Sequence, residues 1–322
     1  MFTTPTVVGD VLFVGSCSGV AYGIDKQSGE VRWTYDTRAD AGPAQFHGDP
    51  AVVGDLVLTG SDTADPSMIY AFRAETGELA WKRESDVIES DVVSASGLVI
   101  GQTFFGDYVA LEATTGERRW RLSTDERRCG RRPQAPATDG ERVYLAAPDG
   151  TLKGLRAGDG EVLWSHELGC VSTALELWRG RLWAGTPEGR LVAVDPQTGE
   201  ILNRVDVGGR PHGRPAPVAE RVLVVQVGEQ EAVAIAPEGT RVVWRYRHDR
   251  ELSSPRPHPY GGLALVGDAE GSVVALDPQD GSVRWTVKVK GTVRGIGSEP
   301  GVLYVGTLGG VVYRVAAPAD SD

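Results

Sequence analysis

Cysteine is scarce in this chain, three residues in 322, and methionine is scarcer at two. Three thiols cannot staple a body of this size, so its cohesion must come from buried apolar surface. No two cysteines are adjacent, and no CxxC or HxH spacing supports a metal cage. The GxSxG elbow, the HExxH helix, the Gly-Lys-Ser/Thr phosphate loop and the EF-hand loop are all missing. No apolar run approaches the ~20 residues of a bilayer-spanning helix. Met1-Phe2 leads almost directly into a strand-like run, without the charged and apolar regions of a secretory leader. The expectation is a cytoplasmic protein or a trimmed periplasmic or envelope protein. Lysine is rare beside arginine, and the formal net charge is −11, which argues against general nucleic-acid binding.

Glycine, by contrast, is plentiful at 42 residues, and it punctuates a repeat. Seven copies end at Trp33, Trp81, Trp120, Trp164, Asn203, Trp244 and Trp285, with successive spacings of 48, 39, 44, 39, 41 and 41 residues. A unit of about 41 residues is the period of propeller blades. Within the first unit, Thr6-Val7-Val8, Val11 to Ser16, Val20 to Asp25 and Glu30 to Tyr35 are short β-rich runs separated by turn residues, four strands A to D. An eighth copy near Gly295 stops after Val315, before any D strand. The fold expected is all-β: an eight-bladed β-propeller of four-stranded antiparallel blades. The last blade is either three-stranded or closed by the N-terminus. Residues 1–315 form one propeller domain and residues 316–322 a flexible tail.

The repeated tryptophans at 33, 81, 120, 164, 244 and 285 read as cement, each ring covering the flank of the next blade while its N–H reaches a carbonyl. Asn203 and the altered turn before Trp244 make blades five and six the least regular. Trp178 and Trp183 lie outside the repeat position and mark blade five as a surface for a partner. The Asp-rich turns, such as Asp277 to Gly281, read as hairpin turns rather than ion ligands.

Arginine and histidine gather in the D-to-A links, which share one face with the B-to-C loops. These links carry His47; Arg127, Arg128, Arg131 and Arg132; Arg210, His212 and Arg214; Arg247, His248, Arg250, Arg256 and His258; and Arg294. Such a face suits an acidic partner or a small anionic ligand, although Asp125, Glu126, Asp249 and Glu251 partly cancel its field. The candidate binding residues are His47, Ser172, His212, Arg214, Ser254, His258 and Arg294. No catalytic and no metal-ligating set is assigned. All three cysteines map to the same face. Separate thiols in a reducing compartment are the default, with a Cys129–Cys170 bridge or a soft-metal site as alternatives.

The unit Val-x-x-Gly-x-Val-x-Val-Gly-Ser, then Val-Ala-Leu-Asp-Pro-x-x-Gly, then a run ending in Trp resembles the pyrroloquinoline-quinone-type propeller repeat. Its clearest copies are Leu265 through Trp285, Leu191 through Gly199 and Val14 through Trp33. One branch of that family, the quinoprotein alcohol dehydrogenases, implies a quinone, calcium, a catalytic Asp and an adjacent-cysteine disulfide, and this chain has no adjacent cysteines. The other branch implies compact, cofactor-free eight-bladed propellers of bacterial envelope assembly and kinase-attached sensing. The resemblance favours this second branch: a monomeric, non-catalytic binding scaffold without quinone or calcium. A small-molecule-binding or quinone-dependent enzyme with an axial His/Arg site is the alternative.

Overall fold

The computed structural model describes residues 3–41, 45–46, 48–61, 67–85, 91–103, 106–123, 128–129, 134–254 and 256–318. Among them are seven four-stranded antiparallel sheets, one three-stranded sheet and a single four-residue helix, Arg38–Ala41. This is the eight-bladed β-propeller expected from the repeat, and its last blade has three strands, Val293–Glu299, Val302–Thr307 and Val312–Ala316. Each blade runs in sequence order from its A strand outward, ending in a D strand in the first seven. The A strands of blades 1 to 4 are Thr6–Val8, Ala51–Val53, Val93–Ala95 and Ala137–Thr138. Those of blades 5 to 8 are Glu176–Trp178, Pro211–Val218, His258–Tyr260 and Val293–Glu299. The chain divides into two compact units, Met1–Cys170 and Val171–Asp322, of four blades each.

Strand B of the first blade, Val11–Gly15, is buried along its whole length, and the same holds for Leu56–Gly60, Leu98–Gln102, Val222–Val227 and Leu263–Gly267. Strand D alternates exposed and half-buried residues, as in Val31–Asp36 and Val283–Lys288. Burial on both faces requires continuous apolar runs, whereas a rim strand needs only one apolar face. The cores lie between blades. In the first unit one cluster joins Leu58, Ile69 and Trp81 to Val99, Val109 and Leu111. In the second, another joins Val222, Val224 and Trp244 to Ala264, Val266 and Leu276.

Four of the six repeat tryptophans donate their indole N–H to the following blade, whereas the buried N–H of Trp285 meets no acceptor, against the expectation for that residue. Indole N–H groups of Trp33, Trp81 and Trp120 donate to the carbonyls of Ala74, Ala113 and Ala157 at 2.9, 2.9 and 2.7 Å. Trp244 donates to Pro278 at 3.0 Å. Every acceptor belongs to the C-to-D turn of the following blade. The ring lies beneath that turn's glycine, which must lack a side chain: a Cβ on Gly116 would sit 2.5 Å from the Trp81 ring, and one on Gly281 would sit 2.8 Å from Trp244. These glycines also have positive φ, +71° and +74°.

Blade five departs from the pattern in an informative way. Asn203 lacks the ring but keeps the hydrogen bond, its Nδ2 donating to Glu238 O at 2.8 Å. The missing ring comes from strand B, where Trp183 lies 2.6 Å from a Cβ built on Gly239. Two residues thus share the work of one tryptophan. This corrects the reading of Trp178 and Trp183 as partner surface: they are 5% and 0% exposed and fill the core between blades five and six. Trp178 also donates to Glu220 Oε2 at 3.2 Å.

Gly116→Ala combines a left-handed backbone penalty with a clash against Trp81, while Gly97→Ala, at φ +75° with open space around it, carries only the first. Urea denaturation should show a loss of about 1–2 kcal/mol for Gly97→Ala and a further 1–3 kcal/mol for Gly116→Ala. Equal losses would contradict the proposed ring-under-turn packing.

Candidate partner-binding loop face and inner-strand cluster

In the first unit the link after blade one is fastened to the B-to-C loop of that blade. Thr37 bonds Gly19 O through both its amide and its hydroxyl, the latter at 2.7 Å. Cys129 and Cys170 lie on the links flanking blade four and form a disulfide with a Cα–Cα distance of 5.2 Å. The bridge straddles the B-to-C loop of that blade, where Cys129 N donates to Pro148 O and Gly169 N to Gly150 O, both at 2.9 Å. Separate thiols are therefore replaced by one disulfide, with Cys17 unbridged. The separation of 41 residues is one blade period, which sets the two cysteines on equivalent places of successive links.

In the second unit, His248 ties the link after blade six to the B-to-C loop of blade seven. Its Nε2 lies 2.9 Å from Asp268 Oδ2 and its Nδ1 2.9 Å from the Tyr246 hydroxyl. Burial opposes the charge on Asp268, yet bonds from His248 and from the Ser272 and Glu270 amides hold its carboxyl below the ordinary range. A shallow groove of about 450 Å³ opens on this face, floored by Gly208, Gly209 and Gly228 and edged by Glu229, Glu231 and Arg247. The arginines around it are matched by carboxylates, Arg247 to Glu231 at 3.3 Å and Arg250 to Glu270 at 2.7 Å, and the first unit pairs Arg128 with Glu167 likewise. The described part of the face is mixed in charge rather than cationic.

The candidate residues fall into three groups. His47, with Arg127, Arg131 and Arg132, lies outside the described residues. Ser172 and Ser254 are buried, at 7% and 2% exposure, and their hydroxyls are engaged, Ser172 donating to Pro211 O at 2.7 Å and Ser254 accepting from Gly267 N at 3.1 Å. They fasten links and do not face outward. His212 sits beside the groove, its Nε2 2.5 Å from Gly228 O. Arg214, His258 and Arg294 lie on the innermost strands of consecutive blades.

Sequence counting missed a polarity pattern on these strands. Within the first unit, the position two residues ahead of the pairing with mid-strand B holds Thr4, Asp49, Asp91 and Ala135. In the second it holds Ala174, Arg214, Arg256 and Gly295. Asp49 accepts the amide N–H of Thr4 at 2.8 Å, and Asp91 that of Asp49 at 2.9 Å. Arg214 instead donates, from Nη1 to Leu175 O at 3.0 Å, and lies 3.5 Å from the Glu176 carboxylate. The signal was present in the sequence, two residues away from the register used to choose Ser172 and Ser254.

Among the described residues, no three His, Cys, Asp or Glu side chains converge as metal ligands. No helix there is long and apolar enough to cross a membrane. The family model for outer membrane protein assembly factor BamB matches residues 2–91, 65–216 and 170–318. The chain belongs to the BamB family. BamB of Yersinia pestis is 24% identical over 298 residues, covering 86% of this chain and 74% of its own. BamB of Bordetella pertussis is 27% identical over 304 residues, covering 89% and 75%. The crystal structure of BamB from Moraxella catarrhalis superposes with a TM-score of 0.79 at 20% identity, covering 98% of this chain and 95% of that one. A quinohemoprotein alcohol dehydrogenase from Pseudomonas putida HK5 superposes at 0.70 with 16% identity, covering 94% and 68%. That likeness concerns the fold alone. The BamB relationship agrees with the envelope-assembly branch implied by the repeat.

Replacing Cys129 and Cys170 together by Ser should lower stability by up to about 4 kcal/mol, the chain-entropy value for a loop of this length. Dithiothreitol should lower the Tm of the parent protein and leave that of the double variant unchanged. A parent Tm insensitive to the reductant would contradict the bridge.

Proposed function

We propose that this BamB-family chain is a non-catalytic scaffold for outer-membrane protein assembly that docks a protein partner on its D-to-A and B-to-C loop face. The observation that carries the reading is the fastening of those loops. The disulfide ties two successive links to each other, and the Thr37–Gly19 bonds and the Tyr246–His248–Asp268 chain each tie a link to a B-to-C loop. Loops held in place before contact lose little conformational entropy on binding, so a modest interface suffices. The glycine-floored groove beside His212 exposes backbone and alternating charges, a surface suited to a polar, extended or loop-shaped partner segment.

The disulfide supports an oxidising compartment, which for an envelope assembly factor is the periplasmic side of the outer membrane. Paired arginines and a net charge of −11 favour specific over general electrostatic capture. The reading takes the chain as a monomer and assigns it no quinone, calcium or catalytic step.

A photo-crosslinking residue placed in cells at Glu270 or Leu308, on the loop face, should capture a component of the outer-membrane protein assembly machinery, identified by mass spectrometry. The same residue at Asp55 or Glu141, in A-to-B turns on the opposite face, should not. Capture of that component from the opposite face alone would overturn the reading.

A further inference from the structure

One seam of the first unit carries carboxylates that the fold does not require. The A-to-B turns of blades one and two are Gly9-Asp10 and Gly54-Asp55, closing the hairpins from Val8 to Val11 and from Val53 to Leu56. The equivalent hairpins of blades 3, 5, 7 and 8 close on Gly97, Gly180, Gly262 and Gly301, so the turn needs no acidic residue at that place. Glu75 follows Ala74, whose carbonyl accepts the Trp33 indole N–H. The residues after the next two acceptors, Ala113 and Ala157, are Thr114 and Gly158.

The three carboxylates surround a groove of about 400 Å³ on the face of the A-to-B turns, floored by Val8, Val11 and Ala74 and walled by Asp10, Asp55 and Glu75. Glu75 is exposed, and its side chain meets no partner among the described residues. Asp10 has Lys26 Nζ at 3.9 Å, and Asp55 has the guanidinium of Arg73 at 2.5 Å. Arg32, also in the lining, is committed to Asp25 outside it, with Nε and Nη2 at 3.1 and 2.5 Å from that carboxylate. The Arg32 pKa is raised first by that bond and further by the fields of Asp10 and Glu75, so the groove is negative despite its arginine.

An apolar floor with a carboxylate rim is the inverse of a lysine or arginine side chain, whose aliphatic stem rests on apolar surface while its charged head stays in water. Among the described residues no three acidic side chains converge as ligands of a metal ion. Cations spread along a chain fit this arrangement better than one compact ion. We propose that the groove docks a basic, extended segment of a partner protein, with lysine or arginine stems on Val8, Val11 and Ala74 and their charged heads on Asp10, Asp55 and Glu75. The groove lies on the face opposite the loop face, so its occupant is a second partner, and the inference stands apart from the docking proposed there.

The full chain is titrated into a fluorescein-labelled peptide of alternating lysine and serine, followed by anisotropy at low ionic strength. A peptide of alternating glutamate and serine is the negative control, and spermine is a competitor. The lysine peptide should bind saturably and the glutamate peptide should not. Salt at about 1 M, where the Debye length is roughly 3 Å, should weaken the complex at least fivefold. Glu75→Gln should weaken it about two- to fivefold, the range of a single exposed charge pair. Asp10→Asn combined with Glu75→Gln should weaken it at least fivefold, with an unchanged circular-dichroism spectrum. Glu141→Gln makes the same change of net charge in the A-to-B turn of blade four and should leave the affinity at the parent value. Equal weakening by Glu141→Gln and Glu75→Gln would reduce the binding to overall charge and overturn the proposal. Failure of the lysine peptide to bind would overturn it too, as would displacement by spermine at or below the concentration of unlabelled peptide that does the same.

Discussion

The interaction on which this architecture depends is the indole of a D-strand tryptophan lodged beneath the C-to-D turn of the following blade. It works in two ways at once. The ring removes roughly 150–250 Å² of surface from water, and its N–H satisfies a turn carbonyl that would otherwise be orphaned between sheets. A blade has apolar residues on both faces of its central strands and cannot be stable alone, so the seam is the unit of stability rather than the sheet. Blade five shows that the two roles are separable, since Trp183 supplies volume beneath Gly239 while Asn203 supplies the hydrogen bond.

Because the seams are set near the rim, the inner strands and the links are released from structural duty and can diverge. The links diverge in how they are fastened, by disulfide in the first unit and by a buried His–Asp contact in the second. Inner strands diverge in charge, with aspartates at one set of equivalent positions and arginines at another. Both kinds of variation leave the strand pairing intact.

Much of the fold was legible because it is written as a period. Blade count, strand order and the position of Trp33, Trp81, Trp120 and Trp244 follow from spacing and turn residues, whereas the last blade was left open between three strands and closure by the N-terminus until the strand pairing was known. What depends on a contact across blades was not legible in the same way. Trp178 and Trp183 looked like surplus aromatic surface because nothing local reveals that Asn203 has surrendered its ring volume. Ser172 and Ser254 looked available because their acceptors and donors, Pro211 and Gly267, belong to other segments of the chain. The cysteine pairing had a usable signal, a separation of one period, but no local motif to distinguish a bridge from two thiols. Arg214, His258 and Arg294, assigned to the links from the sequence, lie within the inner strands, and the alternation of charge between units emerged only when strand register was known.

The central claim, that the seam's stability includes the indole hydrogen bond and not ring burial alone, can be tested by a single comparison. Trp244 donates to Pro278 O at 3.0 Å, whereas the buried N–H of Trp285, facing the three-stranded blade, has no acceptor. In urea denaturation, Trp244→Phe should lose at least about 1–2 kcal/mol more than Trp285→Phe, since the first strands a carbonyl and the second removes an orphaned donor. Equal losses in the two variants would contradict the account.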